Sequence, residues 1–149
     1  STVFCNRGMN RPFNGNSMNN QNFFLRLQAA AAYLGGVAVI TGAFGAHFLK
    51  ARLPEYNLET IKTGVLYLFI HVLVILIVSL LGRQADPSPW LKRAGIAFLA
   101  GIVMFSGSLF IIGTASLTGF PASSIGFITP LGGLSFIVGW IFLGLGSRR

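Results

Sequence analysis

The chain has 149 residues, 53% hydrophobic and only 9% charged, where soluble domains carry about a quarter of charged residues. Eleven Lys and Arg against three acids give a net charge of +8, but the bases are spread over tails and connections rather than gathered on one face with stacking aromatics, which argues against nucleic acid as a partner. The single cysteine, Cys5, excludes an internal disulfide and any multi-cysteine metal or iron–sulfur centre.

In chain order, residues 1–26 form an Asn/Arg-rich extension with seven Asn, Arg7, Arg11 and Arg26 and no acid. Such a segment cannot build a packed core alone. It lacks the apolar stretch of a secretory signal; its Arg-rich, acid-free composition is what organelle-targeting segments have, and an Asn-rich extension without a role of its own is the alternative. Three runs without Asp, Glu, Lys or Arg follow: 27–49, 63–82 and 94–147. About 20 apolar residues cross a hydrocarbon core of about 30 Å. The first two runs hold one span each and the third holds two, so the predicted spans are 27–49, 63–82, 94–117 and 130–146. The expected fold is an all-α integral membrane protein with four transmembrane helices and both termini on one side.

In the first span Ala38, Gly42 and Ala46 recur every four residues, the small-residue spacing of packed membrane helices. Lys50, Arg52 and Pro54 end it. The connection then brings Glu55, Glu59 and Lys62 together, a solvated ion-pair arrangement at helical spacing rather than a cation site, since two carboxylates flanked by bases lack further donors.

The second span carries His71 near its middle, with Tyr67 one turn earlier. An ionisable group at membrane depth is a functional hypothesis by default. Set against it is a neutral imidazole used as packing glue, which is the reading preferred here, with a pigment, haem or proton-relay role as the alternative. His47 lies near the end of its own span, about 9 Å from the depth of His71, so a bis-histidine haem between them is disfavoured. No metal site is expected.

Pro87 and Pro89 separate the second and third spans, and Trp90 suits an interfacial anchor. In the third span Gly101 and Gly107 are expected contacts, with Ser106 and Ser108 donating to carbonyls or to other helices. A serine nucleophile there lacks a nearby base, so no enzyme activity is expected. Residues 118–130 read as a protein-covered or re-entrant connection. Thr129 as cap and Pro130 at the first helical position start the last span, in which Gly139 is a further expected packing residue.

Five ordered motifs carry a resemblance: GAFGAH at 42–47, TGVLYLFIH at 63–71, FSGSLF at 105–110, ITPLGG at 128–133 and FIVGW at 136–140. The chain resembles the small four-span proteins called transmembrane protein 256 in animals, grouped with bacterial inner-membrane proteins as domain of unknown function 423. The matching positions are Gly42, Gly45, His47, Tyr67, His71, Ser106, Gly107, Ser108, Pro130, Gly132, Gly133 and Trp140. The resemblance implies a four-helix membrane protein and no established activity. The Asn-rich extension departs from short bacterial members, which begin close to the first span.

The functional expectation is a non-catalytic accessory subunit without cofactor, its partners the lipid bilayer and other membrane subunits, in an electron-transport assembly of an organelle inner membrane. The mitochondrial membrane is preferred over the thylakoid or a bacterial inner membrane. A small-solute carrier or channel is the first alternative, and a pigment- or haem-binding subunit through His71 the second. Counting bases by side gives eight on the side of the termini against three, Lys50, Arg52 and Lys62, so the positive-inside rule places both termini in the cytoplasm, matrix or stroma.

Overall fold

The computed structural model describes residues 15–84 and 86–148; Cys5, Arg7, Arg11 and Arg149 lie outside the described residues. Four long helices account for nearly all of it: α1 (Gly15–His47), α2 (Glu55–Leu81), α3 (Pro89–Thr118) and α4 (Ile128–Gly146). All four are long and apolar enough to cross a membrane. The first three begin before their charge-free runs do, because a helix continues through the interfacial layer where charged side chains meet water. α1 starts twelve residues ahead of position 27 and carries Phe24 into the core, 1% exposed.

Neighbours in sequence pack side by side and antiparallel. Along the α1–α2 seam Gly35 faces Val72, Gly42 faces Val65 and Gly45 faces Ile61. Along the α3–α4 seam Gly146 faces Leu91, Gly139 faces Phe98, Gly101 faces Phe136 and Gly132 faces Phe105. The seam positions on α1 (31, 35, 38, 42, 45) alternate three and four residues apart and those on α4 (132, 136, 139, 146) step by four, three and seven, the repeat that gives shallow left-handed crossings. A spacing of four drifts off this line: Ala38 is buried, Gly42 half-buried, and Ala46 exposed, with Gly45 taking its place in the seam.

The inside and outside of the bundle reverse the pattern of a soluble protein. Small residues occupy the seams, whereas Ile40, Val103, Leu134 and Ile137 point outward, all more than half exposed. Such a surface is stable only in hydrocarbon.

α3 departs from a plain α-helix. At Ile102–Ser106 it widens into a π-type turn, a one-residue insertion that re-aims the faces on either side. The half before the turn packs chiefly against α4, and the half after it against α2. The connection from Thr118 to α4 is neither covered by protein nor re-entrant. It is largely exposed at the end of the bundle, reversing through Gly119 at φ 71° and a short 3₁₀ turn at Ala122–Ser124. At the start of α4, Thr129 does not act as the cap. The helix begins at Ile128, and Thr129 turns to Ser108 instead.

Candidate functional site at the aromatic centre of the bundle

His71 sits where α2, α3 and α4 meet and is 4% exposed. Its position on the inner face of α2 follows from the run Leu68, His71, Val72, Ile75, all buried. The ring lies flat on Phe136 of α4, centroids 3.6 Å apart and 8° from parallel. Phe98 of α3 lies 5.7 Å away and Trp140 6.3 Å away, edge-on. Tyr67 completes the cluster through Phe105, at 4.5 Å. Offset and edge contacts of this kind add about 0.5–1.5 kcal/mol each beyond the area they bury.

His71 Nδ1 lies 2.8 Å from the Tyr67 carbonyl oxygen. A carbonyl only accepts, so Nδ1 carries a proton and donates. In the neutral ring this leaves Nε2 as the acceptor. The helical spacing of four makes the bond local to α2, which holds the imidazole in plane for the Phe136 stack without enlisting another helix.

The remaining interior polar groups are matched across or within helices. Ser108 Oγ donates to the Phe105 carbonyl at 2.9 Å, so Thr129 Oγ1 donates to Ser108 at 2.7 Å, joining α3 to α4. Ser135 Oγ donates to the Ala97 carbonyl at 2.7 Å, and Asn57 Nδ2 to the Gly113 carbonyl at 3.1 Å. Ser79 Oγ donates to Ile75 within α2. Ser106 differs: in the π-type turn, its buried hydroxyl has no hydrogen-bond partner among the described residues.

Of the residues singled out from sequence, the fold gathers His71, Tyr67, Gly101, Gly139 and Trp140 around this centre. Ala38, Gly42 and Ala46 lie on α1 and are not part of this centre: Ala38 is buried in the core, Gly42 faces Val65 and Ala46 is exposed. Gly107 sits in open space, where an added Cβ would meet nothing within 4 Å. His47 closes α1 and is exposed, so it has no share in the site of His71. Glu59 pairs with Lys62 at 2.6 Å on the exposed face of α2. Among the described residues no three His, Cys, Asp or Glu converge as metal ligands. Sequence reasoning missed Ser135 and Asn57 as interhelical donors, and Phe98 and Phe136 as the walls of the histidine. Nothing local marks them, although the seven-residue recurrence of Gly132, Gly139 and Gly146 already drew the inner line of α4.

The fold and this interior define the class: a small four-span helical membrane protein whose centre is aromatic and closely packed. The chain matches the family described as Protein of unknown function (DUF423) over residues 41–133. It is 40% identical over 120 residues to the UPF0382 membrane protein YwdK of Bacillus subtilis, covering 80% of this chain and 91% of that one. It is 34% identical over 119 residues to the UPF0382 inner membrane protein YgdD of Escherichia coli, covering 80% and 86%. A relative from Haemophilus influenzae, also described as a UPF0382 membrane protein, is 36% identical over 130 residues. The chain belongs to this family of membrane proteins. No solved structure matches it.

Proposed function

We propose that this protein is a non-catalytic accessory subunit that packs into a larger assembly of an energy-transducing inner membrane. The observation that carries the reading is the state of the bundle's centre. Where a carrier needs a polar pathway, His71 is stacked on Phe136 and bonded to its own helix, while Ser108, Thr129 and Ser135 are engaged in bonds that tie α3 to α4. Groups so engaged serve helix association rather than solute passage. The outer faces, lined by large apolar side chains, are available to lipid and to neighbouring spans alike.

The preferred location is the mitochondrial inner membrane. Support comes from the basic, acid-free composition of residues 1–26; the relative described as an inner membrane protein of Escherichia coli fits an inner membrane in general, the bacterial alternative included, and the orientation follows the excess of bases on the terminal side. After mild detergent extraction the protein should migrate with a large assembly on native gels, and deletion of residues 1–22 should weaken that association while four spans stay inserted. Recovery as a lone monomer, with solute flux in liposomes that depends on His71, would overturn this reading in favour of a carrier. Visible absorbance lost in His71→Gln would replace it with pigment or haem binding.

A further inference from the structure

At the end of the bundle that carries Arg26, Arg83, Lys92, Arg93 and Arg148, a cavity of about 260 Å³ opens between α1, the connection after α2 and the first turn of α3. Its polar lining is Asn20, Ser88, Lys92 and Arg93. Ser88 is 7% exposed and stands immediately before α3, yet its hydroxyl makes no capping bond and has no side-chain hydrogen bond among the described residues. Residues in that position usually cap, so the hydroxyl of this largely buried residue, open to the cationic cavity, is left to bond something else.

The two cations are held in place by aromatic rings. Lys92 Nζ lies 4.8 Å from the centre of the Phe23 ring, and the Arg93 guanidinium 4.7 Å from that of Trp90. The positive end of the α3 dipole adds to their field. Asp86, exposed within the connection, is the nearest acid in sequence.

Below the cavity, toward the membrane interior, runs a second depression of about 440 Å³ between α1 and α3, lined by Phe23, Leu27, Ile96, Leu99, Val103 and Met104. Ile96 belongs to both linings, so cationic pocket and apolar groove adjoin. From Ile96 to Met104 the groove follows α3 for about 12 Å, starting where the charged residues give way to the charge-free run. A polar, positive upper compartment at the interface and a dry channel directed into the hydrocarbon match one kind of molecule in charge and shape together.

We propose that this is a binding site for an anionic glycerophospholipid of the leaflet on the terminal side. Its phosphate sits between Lys92, Arg93 and the Ser88 hydroxyl, and an acyl chain lies in the groove between α1 and α3. Basic pockets between membrane helices bind anionic headgroups in this way. The site is independent of the role of the bundle as a subunit, since it faces outward and shares no residue with the aromatic centre.

The test uses the full chain in detergent with titrated lipids, the bound fraction read by native mass spectrometry. Dioleoylphosphatidylglycerol should bind more tightly than dioleoylphosphatidylcholine. Each cation near the membrane surface contributes about fivefold, so Lys92→Gln and Arg93→Gln should each weaken phosphatidylglycerol binding about fivefold, with little effect on phosphatidylcholine. Ala100→Phe, which fills the groove beside Leu99, should weaken phosphatidylglycerol without touching the cations. Lys62→Gln, at the opposite end, should change nothing. Equal affinity for the two lipids, or indifference to both charge variants, overturns the proposal. Displacement by millimolar inorganic phosphate together with indifference to Ala100→Phe overturns it too, by showing a free-anion site.

Discussion

Gly132 is the position at which the packing of α3 on α4 can be tested most sharply. A Cβ built there would lie 2.8 Å from the Phe105 Cα and as close to its Cβ. Main chain cannot turn aside as a side-chain end can, so Gly132→Ala has to push the two helices apart. Overpacking of this kind costs about 1–3 kcal/mol, and the backbone contact puts this case near the upper end, because separation also loosens Gly139 against Phe98 and Gly101 against Phe136. Alanine's better helix propensity returns about 1 kcal/mol, so the net loss is about 2 kcal/mol. Gly133→Ala is the internal control. Its Cβ would meet Phe105 Cδ2 at 3.9 Å, an ordinary contact, so only the propensity gain of up to about 1 kcal/mol remains. Equilibrium unfolding in mixed micelles, followed by circular dichroism, should therefore separate the adjacent variants by about 3 kcal/mol. Equal stabilities within about 0.5 kcal/mol would refute the argument that α4 is held against the α3 backbone at this point.

Four further outcomes are expected in the same assay. Ser135→Ala should lose about 0.6 kcal/mol, and no more than about 1.7 kcal/mol, for its bond to Ala97; an unchanged midpoint would mean that this bond contributes nothing to α3–α4 association. Ser106→Ala should be neutral or stabilising, because it removes a buried hydroxyl without a partner among the described residues, whereas a loss above about 1 kcal/mol would reveal a partner for that group. His71→Phe should preserve the stack on Phe136 and forfeit only the bond to Tyr67, a loss of about 0.6–1.7 kcal/mol; a larger one would show that the imidazole holds more than these contacts. Glu59→Gln should shift stability by less than about 0.5 kcal/mol, since the Lys62 pair is more than half exposed, and an effect several times larger would mean that the pair is not solvated.

The four spans, their order and their residence in a membrane were legible from charge and run length, because a Lys or Asp inside hydrocarbon is costly enough to leave long uncharged runs as its signature. The same physics explains why helix ends were not legible. Beyond the hydrocarbon a helix gains or loses turns for reasons of local packing, and α1 extends to Gly15 because Phe24 finds the core against Gly82.

Small residues at helical spacing announced close-packed faces, but spacing cannot say which neighbour a face meets. Ala46 and Gly107 have the right size and stand in open positions, whereas Gly132 and Gly146 lie where another helix comes close. That choice depends on the three-and-four repeat of a shallow crossing and on the π-type turn in α3, which hands the helix from α4 to α2 halfway along its length. His71 stood out in sequence as a polar group at membrane depth. Its surroundings, Phe136 beneath it and Phe98 and Trp140 at its edges, come from two helices that follow it by about 30 and about 70 residues. Sequence determined that a histidine must be reconciled with hydrocarbon, since the energetics of a single side chain decide that; only the folded bundle decided how, because stacking and hydrogen bonding require partners that chain order does not place together.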